Sequence, residues 1–436
     1  MTQTVLPFKL EKTNDTITPH AGLALAGEFM AALGVEELLD KHLPAPGSGA
    51  GYKPSKFVLP LLLMLTGGGR ALEDLRQIRN DDGLRELLGL GELPSSDATG
   101  DWLRRTGAGA GLLGLAAMNR ALLRRELTRE ERDEYTLDID ATQIVAEKQE
   151  AKRTYKGETG YMPIVGHLAE NGLVAGDEFR EGNVPPAARN LEFVKYCAAQ
   201  LPCGKRIAAL RADSAAYQAK IFNWCDEHDV KFAIGADLDV AVQGTIAAIG
   251  EGGWNPYGTG FIAETVHSMN ETKKAFRLVI IRRPVQKELF GEEDPREKYT
   301  VIASNREETA EETVAWYNQR GETSENRLKE LKIGLGVERM PCGQFGANAA
   351  FFRIGALAYN LFVMFKKNAL PADWRKHQVR TVRWRLYQTA GKVVTHAGYL
   401  ILKVRRWMYE LFEEVRKQCW KLYEEVRARW GVAART

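Results

Sequence analysis

Two regions of different apolar spacing follow one another along the chain. From about Ala21 to Leu127, apolar residues recur about every 3.6 residues between turns rich in proline and glycine, which predicts short amphipathic helices. Ser96 or Asp97 is expected to cap the helix that follows them. Residues 1–130 are therefore predicted to form an N-terminal helical domain.

The pattern changes to a strand pattern at Tyr135. Residues 135–142 alternate, with apolar side chains on one face and Asp138 and Asp140 on the other. Asn171-Gly172 lies between two apolar runs and predicts a β-hairpin. A helix at 190–201, a strand at 206–213, a helix at 217–226 and a strand at 230–234 are predicted to follow. This alternation of strands and helices predicts an α/β sheet layered with helices.

The rest of the chain completes the predicted organisation. Glycine-rich and β-like pieces predict a β-rich insertion at 235–297, after which a strand at 299–304 resumes the core. A helix containing Val314 and Trp316 and a long helix beginning near Ser324 come next. The α/β core is thus assigned to 131–234 and 298–369, and a basic helical region to 370–436.

Composition narrows the class of protein without fixing its function. The 436 residues are 44% apolar and 27% charged, and their formal net charge is +3, as in an ordinary globular chain of more than one structural unit. The five cysteines form no Cys-x-x-Cys pair, which favours reduced thiols and a cytoplasmic location. The longest apolar run, Phe57–Leu65, is too short to span a bilayer. No membrane association is expected.

The basic residues are concentrated at the C-terminal end. From Pro371 to Thr436 there are fifteen Lys and Arg against six Asp and Glu, together with Trp407, Trp420 and Trp430. A solvated helix with surface salt bridges accounts for this excess as well as a polyanionic partner does. Both interpretations stay open at the level of the sequence.

Two apparent motifs carry little weight. Cys225 and His228 have a spacing that some zinc sites use, but no second pair of ligands lies at a suitable distance. The segment 109–114 fits the glycine pattern of dinucleotide-binding loops, but a predicted helix precedes it where that loop requires a strand. We expect neither a zinc site nor a nucleotide cofactor.

Carboxylates at the ends of core elements are the main candidates for chemistry. Phosphodiester cleavage with two divalent ions needs two or three acids that lie close in space, and Mg²⁺ prefers such oxygen ligands. Asp140 and Asp213 each end a predicted strand, and an acid on a following helix would complete the set. An aspartate after a strand also caps turns and helices, and for Asp213 alone capping is the simpler interpretation.

The third acid is expected at the start of the long helix. Ser324 is a plausible N-cap, so that Glu325 begins the helix and shares one face with Lys329 and Lys332. A purely structural ladder of Glu and Lys would have the same appearance.

The same segment resembles the Tyr-Arg-Glu-Lys signature of one branch of the DDE-type insertion-sequence transposases. Tyr317 and Arg320 have its first spacing, and Glu325 and Lys332 have its last. The middle gap holds four residues where the signature has three. The extra residue is expected to lengthen a turn before Glu325, and it leaves Glu322 as a rival for the third acid.

Other segments extend the resemblance over roughly 21–402. Asp140-Ala141-Thr142 is similar to the Asp-x-Thr at the first carboxylate of this family, and Arg211-Ala212-Asp213-Ser214 is similar to the segment around the second. Asp138 is the alternative first ligand. A β-rich insertion between the second and third acids is also typical of this branch. Trp254, in a glycine-rich loop, is either a base-stacking residue or part of a small β core.

The resemblance implies an RNase H-like catalytic core and metal-dependent DNA chemistry. Asp140, Asp213 and Glu325 would be the catalytic metal ligands for two Mg²⁺ ions, for which Mn²⁺ can substitute. Tyr317, Arg320 and Lys332 would contact DNA.

The implied partners are the terminal inverted repeats, which the helical N-terminal domain would recognise, target DNA, and a second copy of the chain in a homodimeric synaptic complex. The location would be cytoplasmic, with association with the nucleoid through DNA. An RNase H-fold structure-specific nuclease and a non-catalytic DNA-binding derivative are the alternatives.

Overall fold

The computed structural model of the chain describes residues 5–6, 8–47, 49, 51–284 and 297–431, apart from the side chains of Glu322 and Thr323.

The described part of the N-terminal region is helical, as predicted. After a short strand, β1 (Thr16–Thr18), the helices are α1 (Ala21–Ala32), α2 (Val35–His42), α3 (Pro54–Gly67), α4 (Leu75–Arg79), α5 (Asp82–Leu88), α6 (Ser96–Gly107) and α7 (Gly111–Leu127). The apolar run that begins at Phe57 lies inside α3 and is buried. The predicted cap of α6 was wrong by one residue, because the hydroxyl of Ser95 accepts the hydrogen bond from the amide of Ala98 at 3.1 Å.

A mixed sheet forms the centre of the molecule. The next elements are β2 (Glu134–Ala141), β3 (Ile144–Val145), β4 (Lys152–Arg153), β5 (Thr159–Tyr161), β6 (Ile164–Leu168), β7 (Val174–Glu178), α8 (Asn190–Ala198), β8 (Arg206–Ala212), α9 (Ala219–Glu227) and β9 (Lys231–Gly235). Five strands lie in the order β7-β6-β2-β8-β9. β2, β6 and β7 are antiparallel, whereas β8 and β9 run parallel to β2. This is the topology of an RNase H-like core, as expected.

The hairpin between β6 and β7 shows how local sequence fixes this sheet. Gly172 has a φ of +80°, a conformation that favours glycine. A Cβ atom there would also lie 3.1 Å from the guanidinium of Arg327. That guanidinium donates to the carbonyl oxygens of Leu168 and Ala169 at 3.0 and 2.9 Å. The turn is therefore held against the helix that carries Glu325.

The β-rich insertion extends the central sheet. Its elements are α10 (Val240–Ala247), β10 (Asn255–Tyr257), β11 (Gly260–His267) and β12 (Phe276–Pro284), and the core resumes with β13 (Glu297–Ser304). β13 pairs antiparallel with β9, and β12, β11 and β10 follow outward in antiparallel order, so that the sheet has nine strands. The helix α10 was not predicted. The part of the predicted insertion at 285–296 lies outside the described residues.

A long apolar helix joins the N-terminal helices to the sheet. α11 (Ala310–Asn318) and α12 (Asn326–Lys329) precede α13 (Phe345–Asn368). By length and composition α13 would suffice to cross a membrane, yet most of it is buried inside the protein. The amide of Asn360 accepts from the backbone of Val174 at 2.7 Å and donates to Asn119 on α7 at 2.7 Å. These buried bonds satisfy polar groups at the edge strand β7.

The C-terminal region differs from the all-helical prediction. It contains α14 (Val379–Val382), β14 (Gly391–His396), β15 (Tyr399–Lys403) and α15 (Arg406–Trp430). β14 and β15 form a hairpin, and β14 pairs antiparallel with β1 near the start of the chain. The prediction missed this hairpin because its partner strand is only three residues long and lies far away in sequence.

Candidate active site

The first predicted acid lies at the end of β2. Asp140 is partly buried there, and Asp138, two residues earlier, is fully buried on the same face. Asp138 accepts two hydrogen bonds from the guanidinium of Arg211, at 2.7 and 2.9 Å, across the β2–β8 register. A carboxylate in such a bidentate pair has its oxygens engaged. Of the two alternatives, Asp140 is therefore the better placed to meet a ligand.

The second predicted acid follows directly after β8. Asp213 caps a short 3-10 helix, Ser214–Ala216, and accepts from the amide of Ala215 at 3.2 Å. Asp213 therefore does act as a helix cap, as the simpler interpretation expected. Because β2 and β8 are parallel neighbours, Asp140 and Asp213 nevertheless lie at the same edge of the sheet.

The helix that carries the third predicted acid does not begin at Ser324. α11 continues through Arg320, which has helical φ and ψ of −53° and −38°, into a π-helical turn, Gly321–Glu325, and then into α12. The prediction of a lengthened turn with Ser324 as N-cap was wrong. Ser324 is buried, and its hydroxyl has no hydrogen-bond partner among the described residues.

The π-helical turn accounts for the extra residue in the signature. In an α-helix, residues four apart share a face, whereas a π turn closes its hydrogen bond between residues five apart. Arg320 and Glu325 are five apart, and the turn between them is π-helical. Glu325 is thereby kept near the face of Arg320. The side chain of the rival acid, Glu322, lies outside the described residues.

Arg320 and Tyr317 lie close enough to Asp140 and Asp213 to feel their charges. Arg320 is 7% exposed, and its Nη1 donates to the hydroxyl of Tyr317 at 3.3 Å. That hydroxyl lies over the end of β9, since a Cβ on Gly235 would be 3.0 Å from it and 3.2 Å from the amide of Ser214. The Nε of Arg320 is buried without a partner among the described atoms. A buried donor of this kind suits an anionic ligand at the site.

Lys332 is tied to the first carboxylate segment. It belongs to a second π-helical turn, Glu330–Gly334, and its Nζ donates to Thr142 Oγ1 at 2.9 Å and to the carbonyl of Gln143 at 2.7 Å. Burial lowers the pKa of Lys332, and the nearby charge of Lys156 acts in the same direction. The Asp140-Ala141-Thr142 motif and the last residue of the signature are thus in direct contact.

The electrostatics of the site centre on Asp140. Burial raises the pKa of Asp140 to about 6; the positive charge of Arg320 opposes this shift, while the negative charges of Asp213 and Glu325 add to it. Burial also opposes ionisation of Arg320, but Tyr317, Asp140 and Asp213 hold the pKa of Arg320 above its ordinary value. Three acids and one buried arginine therefore act on one another at this edge.

The donor set suits a hard divalent cation, although the side chains are not gathered around one point. Among the described residues, no three His, Cys, Asp or Glu side chains are close enough to hold an ion as they stand. Glu325 is exposed, so its carboxylate has room to turn towards Asp140. Mg²⁺ takes oxygen ligands and commonly few protein carboxylates. A bound cation would also offset the burial and the repulsion that together raise the pKa of Asp140.

Arg211 is the site residue whose role the sequence analysis missed. Its Nε and Nη2 donate to Asp138, whereas its Nη1 donates to the carbonyl of Trp316 at 2.7 Å. Its guanidinium also lies 4.8 Å from the indole ring of Trp316. Arg211 therefore links β2, which bears Asp140, β8, which Asp213 follows, and the last turn of α11, from which the chain continues to Glu325. The signal was available, because Arg211 and Asp138 are oppositely charged and face each other in adjacent strands.

Two other candidates have structural roles. Trp254 is only 9% exposed, and the guanidinium of Arg282 lies 4.4 Å from its ring, so it belongs to the packing of the insertion. His228 contacts the carbonyl of Trp224 through Nδ1 at 2.8 Å and stacks on that indole. Cys225 is buried. Both residues therefore contribute to packing at the end of α9.

Comparison with known proteins identifies one family. The family model described as "Transposase DDE domain group 1" matches residues 6–417 of the chain. The cryo-EM structure of a piggyBac transposase synaptic complex with hairpin DNA aligns with 96% of this chain and 83% of that chain, at 10% identity and a TM-score of 0.45. No curated protein matches the chain.

Proposed function

Since the chain belongs to the DDE-domain transposase family, we propose that it cleaves DNA at the terminal inverted repeats of an insertion sequence and joins the freed 3′ ends to target DNA. The observation that supports the proposal is that Asp140 and Asp213 lie at one edge of the sheet, where the charges of Glu325 and the buried Arg320 act on Asp140. Transposition also needs the DNA backbone to be positioned at the site, and the cationic side chains there can position it through phosphate contacts.

Asp140, Asp213 and Glu325 would hold the divalent ions, with Mg²⁺ as the natural ion and Mn²⁺ as a substitute. When bound, two such ions neutralise charge on the phosphate and lower the pKa of the attacking water. Asp140 is well suited to this role because its pKa of about 6 makes its negative charge costly until a cation is present.

Arg320, Tyr317 and Lys332 would position the phosphate. Arg320 has a buried Nε donor without a partner among the described atoms, and that donor would be satisfied by a phosphate oxygen. Tyr317 orients Arg320 through the 3.3 Å contact between its hydroxyl and Nη1. Lys332, fixed on Thr142, places a positive charge beside the end of β2.

The proposed reaction has two balanced steps. In the first, a water oxygen bonds to phosphorus, and the 3′ oxygen of the element leaves and takes up a proton. In the second, that 3′ hydroxyl loses its proton and attacks a target phosphodiester, whose own 3′ oxygen leaves. One phosphodiester bond forms for each that breaks in the joining step, so the exchange consumes no nucleotide cofactor.

The proposal includes an assembly. Two element ends must be held together for joining at one target, so we propose a homodimer as the smallest synaptic unit. The N-terminal helices are proposed to recognise the inverted repeat, and the protein would be cytoplasmic and bound to the nucleoid through DNA.

Cleavage and joining of a labelled duplex carrying the element's inverted repeat, in the presence of Mg²⁺, tests the proposal. Asp140→Asn, Asp213→Asn and Glu325→Gln should each abolish both reactions while DNA binding persists. Glu307→Gln is the matched control, because its side chain is 90% exposed and lies outside the site.

Each alternative outcome has a distinct meaning. Cleavage without joining by the unaltered protein would indicate a structure-specific nuclease. Binding without either reaction would indicate a non-catalytic derivative. Full activity in the Asp140→Asn variant would show that the proposed active site is not where the reaction occurs.

A further inference from the structure

The structure divides the basic C-terminal stretch into two parts of different charge. α15 carries six Lys and Arg and five Glu between 406 and 430, so it is nearly neutral. Residues 371–405 carry eight Lys and Arg but one acid, Asp373. Most of the basic excess therefore lies before α15, in the segment that contains α14 and the hairpin.

α15 fits the interpretation of a salt-bridged surface helix. Its buried residues follow an alternating spacing of four and three and pack towards α1: Met408, Phe412, Val415, Cys419, Leu422 and Val426. Arg416 pairs with Glu28 of α1 at 3.0 Å, and Lys417 pairs with Glu413 within α15 at 3.4 Å. These ion pairs engage two of its six cations, and its five glutamates offset most of the remaining positive charge.

The segment around α14 has a different character. Trp384 is 81% exposed, although it is a tryptophan in a short, well-packed helix that continues α14 as a π-helical turn, Arg383–Tyr387. Exposed cations surround it in the sequence: Arg375, Lys376, Arg380 and Arg385. Within the described part of the chain, none of these four makes an ion pair with a carboxylate. We call these four cations and Trp384 the basic platform.

Arg385 shows that the platform is ordered by its own contacts. Its guanidinium lies 4.8 Å from the ring of the buried Trp374, and its Nη1 lies 2.8 Å from Nε2 of His377. A cation held by an aromatic ring and not by a carboxylate keeps its full charge for an external anion.

The platform is fixed to the helix that bears the candidate active-site residues. The amide of Val379 donates to Glu330 Oε1 at 2.7 Å, and Arg383 Nη1 donates to the carbonyl of Gly334 at 2.7 Å. The other guanidinium nitrogens of Arg383 donate to the carbonyls of Thr66 and Leu65. Glu330 and Gly334 bound the π turn that contains Lys332. The segment that carries the platform is therefore held against the π turn that contains Lys332.

We propose that the basic platform binds the DNA that continues from the cleavage site, with its cations on backbone phosphates and Trp384 stacked on a base or sugar at the edge of the duplex. This inference rests on the proposed function, since it takes DNA to be the polyanion at Lys332. Charge complementarity and an exposed aromatic among arginines are the features by which proteins track nucleic-acid backbones.

The test is binding of the full-length protein to a labelled duplex, longer than the inverted repeat, at several salt concentrations in Ca²⁺, measured by fluorescence anisotropy. Lys376→Gln combined with Arg380→Gln should lower the slope of log affinity against log salt by about 2, because each lost phosphate contact contributes about 0.9. Trp384→Ala should weaken binding about 5- to 100-fold with an unchanged slope.

α15 provides matched controls of the same residue types. Arg416→Gln combined with Lys417→Gln removes the same charge, and Trp420→Ala removes an indole that is 61% exposed. Both should bind as the unaltered protein does. An equal loss in the α15 variants would overturn the assignment to the platform, because it would show a response to net charge alone.

The platform and the proposed function fail in different ways. If the platform variants kept both affinity and salt slope while Asp140→Asn bound DNA without cleaving it, the platform would be wrong and the proposed function would stand. If the unaltered protein bound no duplex at all, both would be overturned.

Discussion

The pair of Asp138 and Arg211 allows a stability prediction with a definite sign. Both side chains are at most 1% exposed, and the guanidinium makes two short hydrogen bonds to the carboxylate. Removing one partner of such a pair costs about 3–5 kcal/mol, because a buried charge loses its counter-charge. Replacing both partners with apolar residues of similar volume is often close to neutral.

Arg211→Met should therefore lower the free energy of unfolding by about 3–5 kcal/mol. Asp138→Leu combined with Arg211→Met should lower it by less than Arg211→Met does alone. The double variant still loses the donor to the carbonyl of Trp316, which costs about 1–3 kcal/mol and keeps it below the unaltered protein.

Urea unfolding followed by circular dichroism, without divalent ions and at pH 7, measures the order of the three stabilities. Hydrogen exchange of the β2 and β8 amides locates the effect, since those strands carry the pair. The reasoning would be refuted if the double variant were less stable than Arg211→Met, because the cost would then come from lost packing and not from an unpaired charge.

Further predictions concern the charge of Asp140, the hairpin between β6 and β7, and the β-rich insertion. Burial, with Asp213 and Glu325, gives Asp140 a folded-state pKa of about 6 against 3.8 in the unfolded chain. Stability should therefore fall as pH rises from about 4 to 6, and Asp140→Asn should remove that fall and stabilise the metal-free protein at pH 7 by up to about 3 kcal/mol. Melting in EDTA across this pH range checks both expectations, and a variant whose pH profile ran parallel to that of the unaltered protein would contradict them. Gly172→Ala should cost about 1–3 kcal/mol, because φ is +80°, and chemical denaturation measures this loss. Trp254→Ala should cost about 3–5 kcal/mol through lost packing, with no selective loss of affinity for DNA when binding is measured below its melting temperature.

Local patterns were sufficient to predict the main elements of the RNase H-like core, because an alternating apolar pattern or a turn signal marks them in the sequence. The alternation at 135–142 became β2, and Asn171-Gly172 became the turn between β6 and β7. The strands that end at Asp140 and Asp213 were predicted as separate elements, and their parallel pairing brings the two acids to one edge.

The features that could not be predicted depend on contacts between distant segments. The hairpin β14–β15 forms beside β1, which is more than 370 residues away and has no strand signal of its own. α10 has apolar residues without a clear helical period, and the cap of its first turn, Asp239, is the local signal that was overlooked. The contact of Lys332 with Thr142 likewise joins residues that no spacing rule relates.

The π-helical turn at Gly321–Glu325 shows why a one-residue departure from a signature need not displace a site. Inserting one residue into an α-helix would rotate everything beyond it by about 100° and carry Glu325 and Lys332 away from the sheet edge together. The π turn absorbs that residue within the helix, so that the charge of Glu325 still acts on Asp140 and Lys332 still reaches Thr142. A loop of any length would also tolerate the insertion, but it would not fix the direction of the helix. The spacing of the signature is therefore best understood as a constraint on which face the side chains share, and a helix satisfies that constraint with four residues in the gap as well as with three.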